Sequence, residues 1–79
     1  MNDIKKDIQI LLNLFNATKF NDVISKSKRL IREFPEYLIL YNLLGSAYQN
    51  AGSLDLAEEA FNKGLKLDPN NISIMNNLG

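Results

Sequence analysis

The fold is decided by residues 41–69, which read YNLLGSAYQNAGSLDLAEEAFNKGLKLDP. Apolar residues recur there at spacings of three and four on either side of Asn50-Ala51-Gly52-Ser53, which predicts two amphipathic helices joined by a turn. Ser53 is placed to cap the second helix, and Pro69 must end it because proline lacks the amide hydrogen that a helix interior needs. The apolar positions are Leu40, Tyr41, Leu44, Ala47 and Tyr48 before the turn and Leu56, Ala57, Ala60, Phe61, Leu65 and Leu67 after it.

The sequence matches itself when it is shifted by the separation between its two prolines, Pro35 and Pro69. The same shift superposes Asn16-Ala17 on Asn50-Ala51, and Tyr41-Asn42-Leu43-Leu44-Gly45 on Met75-Asn76-Asn77-Leu78-Gly79. Three matches at the same shift, which we call the repeat offset, indicate a repeat of two helices. The repeat divides a single domain, residues 1–79, into unit 1 (4–37), unit 2 (38–71) and the first residues of unit 3 (72–79).

Four helices follow from the first two units. Unit 1 repeats the plan of unit 2, with apolar residues at helical spacing, a turn at 17–20, and Asn21 or Asp22 as the cap of its second helix. Asn70 or Asn71 can begin a fifth helix in unit 3. No strand-like alternation persists for more than a few residues, so we predict an all-α fold. The predicted helices cover residues 3–16, 21–34, 37–50 and 54–67.

Unit 2 resembles the tetratricopeptide repeat. That family places an aromatic residue, leucine-glycine, tyrosine, alanine, a second aromatic residue, a small residue and proline at fixed offsets. The resemblance implies a right-handed α-solenoid of antiparallel helix pairs, in which small residues let two helices approach and aromatic residues fill the space beside them. The matching residues are Tyr41, Leu44, Gly45, Tyr48, Ala57, Phe61, Gly64 and Pro69.

Unit 1 is a degenerate copy with the same spacing. Leu11 stands where the family has glycine and Ser27 where it has a large aromatic residue, which we interpret as a size swap that keeps the combined volume. Ile10, Leu11 and Leu14 are expected to pack on the neighbouring helices. The equivalent positions hold Asp7, Ile10, Leu11, Leu14, Val23, Ser27, Leu30 and Pro35.

Composition argues against catalysis and against charged partners. The chain has no histidine and no cysteine, which removes the commonest general base and the commonest metal ligands, so we expect no enzyme activity, metal or cofactor. Nine basic and nine acidic residues balance, so no overall field attracts nucleic acid or an anionic membrane. No apolar run approaches the roughly 20 residues that span a bilayer and no signal peptide is evident, so we expect a cytoplasmic location. The densest charged clusters, which we interpret as solvated outer helix faces, are Lys26, Lys28, Arg29 and Arg32 and, separately, Asp55, Glu58 and Glu59.

The resemblance also implies a ligand groove on the inner, concave face, which the first helix of each repeat lines. Ile8, Leu12 and Phe15 form one stripe there, since they are spaced at i, i+4 and i+7. With Ile39 and Leu43 this stripe forms an exposed apolar patch, unless residues 1–3 or the packing of the terminal repeat cover it. Amide side chains both donate and accept hydrogen bonds, which suits a peptide backbone. The expected groove residues are Ile8, Leu12, Phe15, Asn16, Ile39, Asn42, Leu43, Ser46, Gln49, Asn50, Asn76 and Asn77.

The resemblance therefore predicts a non-catalytic scaffold that binds a protein or peptide in its concave groove. The alternative is the substrate-recognition arm of a larger enzyme such as a glycosyltransferase or sulfotransferase, because similar repeats are often fused to such domains. We expect the chain to hold the N-terminal repeats of a longer protein, since about three repeats are usually needed for stability. The isolated piece is then expected to be weakly stable or to self-associate.

Overall fold

The computed structural model describes residues 4–68, which form four α-helices and no strand. Every helix end lies within one residue of the sequence prediction, and the all-α fold is confirmed. Residues 1–3 and 69–79 lie outside the described residues, and so do the expected fifth helix, Pro69, and the groove residues Asn76 and Asn77. The helices are α1 (Ile4–Asn16), α2 (Phe20–Glu33), α3 (Leu38–Asn50) and α4 (Leu54–Leu67).

A left-handed residue follows the end of α1. Thr18 has a φ of 59°, and its amide donates to the carbonyl of Phe15 at 3.0 Å. The amide of Lys19 donates to the carbonyl of Leu14 at 2.9 Å. These two bonds make a Schellman motif, which satisfies carbonyls that the last turn of a helix leaves without an amide partner.

The same turn follows α3, at the equivalent position of unit 2. Gly52 has a φ of 84°, and its amide donates to the carbonyl of Gln49 at 3.2 Å. The amide of Ser53 donates to the carbonyl of Tyr48 at 2.9 Å. The two turns therefore share one backbone conformation although their sequences differ. Glycine occupies the left-handed position without steric cost, whereas a threonine there is strained.

The turns also set where α2 and α4 begin. Helix α2 begins at Phe20, with Lys19 in the N-cap position, so the expected capping by Asn21 or Asp22 is wrong. Ser53 occupies the N-cap position of α4 as predicted, although its side chain makes no capping hydrogen bond. In both places the helix starts two residues after the left-handed residue, because the turn geometry and not the capping side chain decides the start.

The first cluster of buried side chains lies where α1, α2 and α3 meet. Its residues come from facing stripes of three helices, and burying each large apolar side chain stabilises the fold by about 1.5–3 kcal/mol. This cluster joins unit 1 to the first helix of unit 2. Its members are Leu11, Val23, Leu30, Leu40, Leu43 and Ala47.

The second cluster joins α3 to α4 at Gly45. A Cβ atom on Gly45 would lie 2.5 Å from Cε1 of Phe61, far inside the roughly 3.5–4.0 Å at which carbon atoms pack. The expected close approach of the two helices at this glycine is confirmed. The hydroxyl of Tyr41 donates to the carbonyl of Pro35 at 2.9 Å, which ties the start of α3 to the turn before it.

The positions of unit 1 that correspond to Gly45 and Phe61 hold Leu11 and Ser27. Both are fully buried, as the proposed size swap requires. The Ser27 hydroxyl oxygen has no hydrogen-bond partner among residues 4–68, and an unsatisfied buried polar group lowers stability.

Ile10 does not pack as expected. Its side chain is 45% exposed, whereas Leu44, its equivalent in unit 2, is buried. Leu44 and Ile31 of α2 line one cleft, whereas none of the described helices covers Ile10. The expected packing of Ile10 on a neighbouring helix is therefore wrong for residues 4–68.

Candidate functional site

Helix α3 packs on two sides and leaves a third side open. Leu40 and Ala47 belong to the first cluster, and Gly45 packs on Phe61 of α4. The remaining side carries residues at i, i+3, i+7, i+10 and i+11, which share one helical face. We call it the open face of α3. It consists of Ile39, Asn42, Ser46, Gln49 and Asn50, all exposed or half-buried.

The open face is polar along most of its length. The side-chain amide of Asn50 donates to the carbonyl of Ser46 at 2.8 Å, which orients that side chain one turn back along the helix. Asn42 and Gln49 each have an interaction partner within the chain. Ile39 is 38% exposed at the beginning of the face. The structure therefore brings five expected groove residues together on one surface of one helix.

The expected groove residues of α1 lie partly in the core and partly on the surface. Ile8, Leu12 and Phe15 are half-buried and pack against the first cluster. The ring of Phe15 meets that of Phe20 edge to face, with centroids 5.3 Å apart. Asn16 is exposed at the end of the helix. The stripe is thus partly core and partly surface, between the two alternatives that the sequence left open.

Leu43 does not lie on an exposed patch. It is 9% exposed and belongs to the first cluster. Its position three residues after Leu40 and four before Ala47 places it on their buried stripe. That spacing was visible in the sequence, and the expected continuous apolar patch from α1 to Leu43 is wrong.

An ion pair between α1 and α2 was missed. The Lys26 amine lies 3.2 Å from a carboxylate oxygen of Asp7, with side chains only 17% and 28% exposed respectively. This shielding contradicts the solvated face that the sequence predicts for Lys26. The signal was present in the repeat offset, which places Asp7 on Tyr41 and Lys26 on Ala60, two residues that line one cleft.

The acidic residues of α4 lie on its outer side. Asp55, Glu58 and Glu59 are exposed, and Glu59 pairs with Lys63 at 3.4 Å. Neighbouring residues of a helix project about 100° apart, so Glu58 and Glu59 do not converge on one point. Among residues 4–68, no group of three or more acidic side chains is arranged to hold a metal ion. No helix in that range is long and apolar enough to cross a bilayer.

The residues that hold α3 against α4 match a known family. The family model described as tetratricopeptide repeat covers residues 39–71. This match supports a tetratricopeptide repeat at residues 39–71. Tetratricopeptide repeats generally mediate protein–protein interactions and are typically non-catalytic. The chain matches no curated protein and no solved structure.

Proposed function

We propose that the chain is a scaffold that binds a peptide segment of a partner protein along α1 and the open face of α3. The open face carries this proposal, because the tetratricopeptide repeat uses the other two sides of α3 for packing. Its amide side chains suit a peptide backbone, since each both donates and accepts hydrogen bonds. Full burial of an apolar anchor such as Ile39 contributes about 1.5–3 kcal/mol.

Helix α1 adds an apolar side to the proposed groove. Ile8, Leu12 and Phe15 keep part of their surface exposed while the rest packs on the core. A partner that covers this remaining surface gains affinity without any unpacking of the first cluster. The proposed groove residues are Ile8, Leu12, Phe15, Asn16, Ile39, Asn42, Ser46, Gln49 and Asn50.

A second helical repeat supports a groove that extends over both units. We infer that residues 4–37 are a degenerate tetratricopeptide repeat, because unit 1 reproduces the Schellman turn of unit 2 at the repeat offset. Two repeats in the same register place α1 and α3 in equivalent roles. Both first helices then contribute to one binding surface.

The proposal is tested with peptides selected from a random peptide library displayed on phage. The selected peptides are titrated into the isotopically labelled chain, and amide chemical shifts map their footprint. We expect the largest shifts along α1 and the open face of α3. Ile39→Asp should weaken binding about tenfold or more, because a buried charge cannot replace an apolar anchor.

Leu54→Asp is the matched control, since Leu54 is an exposed apolar residue of α4. It should leave affinity within about twofold, and both variants should keep their helix content by circular dichroism. A footprint confined to α2 and α4, or equal losses in the two variants, would show that the open face is not the binding surface.

A further inference from the structure

A concave surface lies on the side of α3 opposite its open face. This α2–α4 cleft encloses about 390 Å³ between α2 and α4. Its apolar lining includes Ile31, Leu44, Tyr48 and Leu56, of which Leu56 is 46% exposed. At about 100° per residue along α3, Leu44 and Tyr48 project away from Ile39 and Asn42. A ligand in this cleft would therefore not compete with one on the open face.

The rim of the cleft is positively charged although the chain as a whole is neutral. Lys28 and Arg32 stand one turn apart on α2, and Lys63 stands across the cleft on α4. Glu59 is the one carboxylate among the lining residues, and it pairs with Lys63. Within residues 4–68, Lys28 and Arg32 have no carboxylate partner. Like charges at i, i+4 repel each other, so a carboxylate from a ligand would relieve an unfavourable arrangement.

We propose that the α2–α4 cleft binds an acidic peptide segment that inserts an apolar side chain between Leu44 and Leu56 and places carboxylates beside Lys28 and Arg32. Clefts of roughly 300–1,000 Å³ with an apolar lining and a few polar groups are typical of ligand sites. The apolar lining supplies burial and the two cations supply orientation. A cation without a partner on a folded surface is also attractive to carboxylates at long range.

Nucleic acid fits this surface less well. The outer side of α4 borders the cleft, and the adjoining surface carries three carboxylates, of Asp55, Glu58 and Glu59, against two amines, of Lys63 and Lys66. Those carboxylates repel the continuous row of phosphates that a nucleic acid would lay across the rim. A short peptide can place its few carboxylates beside Lys28 and Arg32 of α2 while its apolar side chain contacts Leu56, away from the carboxylates of α4.

The test uses two synthetic peptides of about twelve residues with identical leucines and phenylalanine, one carrying glutamates between them and the other lysines. Binding to the chain is measured by fluorescence anisotropy at about 0.15 M salt, where charges beyond roughly 8 Å are screened. The acidic peptide should bind at least about tenfold more tightly than the basic one. Its affinity should fall as the salt concentration rises.

Two matched pairs of variants locate the site. Arg32→Glu should weaken the acidic peptide about tenfold, whereas Arg29→Glu, on the same helix but outside the cleft, should change it less than about twofold. Leu56→Ala should weaken it about threefold or more, whereas Leu54→Ala, which lies outside the cleft, should not. Ile39→Asp should have no effect, which separates this site from the proposed groove.

Several results would overturn the proposal. Equal losses in Arg32→Glu and Arg29→Glu would mean unspecific attraction to α2. Tighter binding of a thymidine oligonucleotide of the same length, abolished by Arg32→Glu, would assign the cleft to nucleic acid. Sedimentation showing a dimer that Arg32→Glu dissociates would assign it to a second copy of the chain. Absence of binding by the acidic peptide at millimolar concentration would leave the cleft without the proposed ligand.

Discussion

The two helix pairs differ most at the point where their helices cross. In the pair α3–α4, Gly45 leaves room for the ring of Phe61. In the pair α1–α2, the equivalent positions hold Leu11 and Ser27, both fully buried. The large side chain has moved from the second helix to the first. The fold thus constrains the combined volume of the two side chains at the crossing, and constrains less which of the two helices carries the larger one.

The pairs agree, in contrast, in the backbone of their turns. Thr18 and Gly52 both take a left-handed conformation, and the amide of the residue after each closes the same ring of the Schellman motif. The two turns thus make the same backbone hydrogen bonds although their side chains differ. The family model is matched by residues 39–71, whose side chains keep the family pattern, and it does not extend over unit 1.

The largest loss of stability is expected when the residue of unit 1 that corresponds to Gly45 is replaced by glycine. Leu11→Gly removes a buried side chain and should lower the free energy of unfolding by about 3–5 kcal/mol, from the cavity and the low helix propensity of glycine. Adding Ser27→Phe should restore about 1–2 kcal/mol by filling the space. Urea unfolding of the single and double variants measures both values. A double variant no more stable than Leu11→Gly would show that the two positions do not share one volume.

The converse substitution should break the crossing in unit 2. Gly45→Leu places a side chain against the ring of Phe61 and should lower the free energy of unfolding by about 1–3 kcal/mol. Gly64→Ala is the control in α4, a position where the resemblance allows alanine and helix propensity favours it by up to about 1 kcal/mol. Thermal unfolding followed by circular dichroism compares the two. Similar destabilisation by both would contradict the assignment of Gly45 as the point of closest approach.

The two ion pairs should contribute unequally. Asp7 and Lys26 are largely shielded from water, so a double-mutant cycle with alanine should give a coupling free energy of about 1–2 kcal/mol. Glu59 and Lys63 are 61% and 59% exposed, and the same cycle there should give about 0.3–0.5 kcal/mol. Raising the salt concentration should reduce the exposed coupling more. Equal couplings would mean that the α1–α2 pair is solvated in solution.

The smallest effects should come from the two left-handed turn residues, with opposite signs. Thr18→Gly should raise the free energy of unfolding by about 0.5–1 kcal/mol, because relief of strain exceeds the added flexibility of the unfolded chain. Gly52→Ala should lower it by about 1 kcal/mol, because a side chain is strained at that φ. Denaturant midpoints of the two variants test the pair. A loss of stability in Thr18→Gly would show that the threonine side chain stabilises its turn.

Helix existence and helix ends could be read from the sequence because their signals are local. Pro35, the Gly52-Ser53 turn and the spacing of apolar residues locate every described helix to within one residue. Burial could not be read in the same way, since it depends on which helix stands beside a given face. Ile10 is exposed because no helix within residues 4–68 covers it, and Lys26 is shielded because Asp7 of α1 lies beside it.

The candidate site could be predicted from the sequence only in part. The open face of α3 follows from helical geometry once its packed sides are known, and its amides were named from the sequence. The resemblance predicts an exposed Leu43, but its spacing from Leu40 and Ala47 places it on their buried stripe. The α2–α4 cleft could not be anticipated, because its lining residues lie on three helices that only the folded chain brings together.

The order in which the helices pack has a consequence for how quickly the chain folds. Each helix packs chiefly on the helix that precedes or follows it, and α1 meets α3 only slightly. When two consecutive helices pack together, only a short loop is closed. Little conformational entropy is therefore lost before packing begins to stabilise the structure. Helical chains with such local contacts fold in microseconds to milliseconds. Because α3 and α4 pack directly on one another where Phe61 meets Gly45, we expect this pair to form early and α2 and α1 to pack on it.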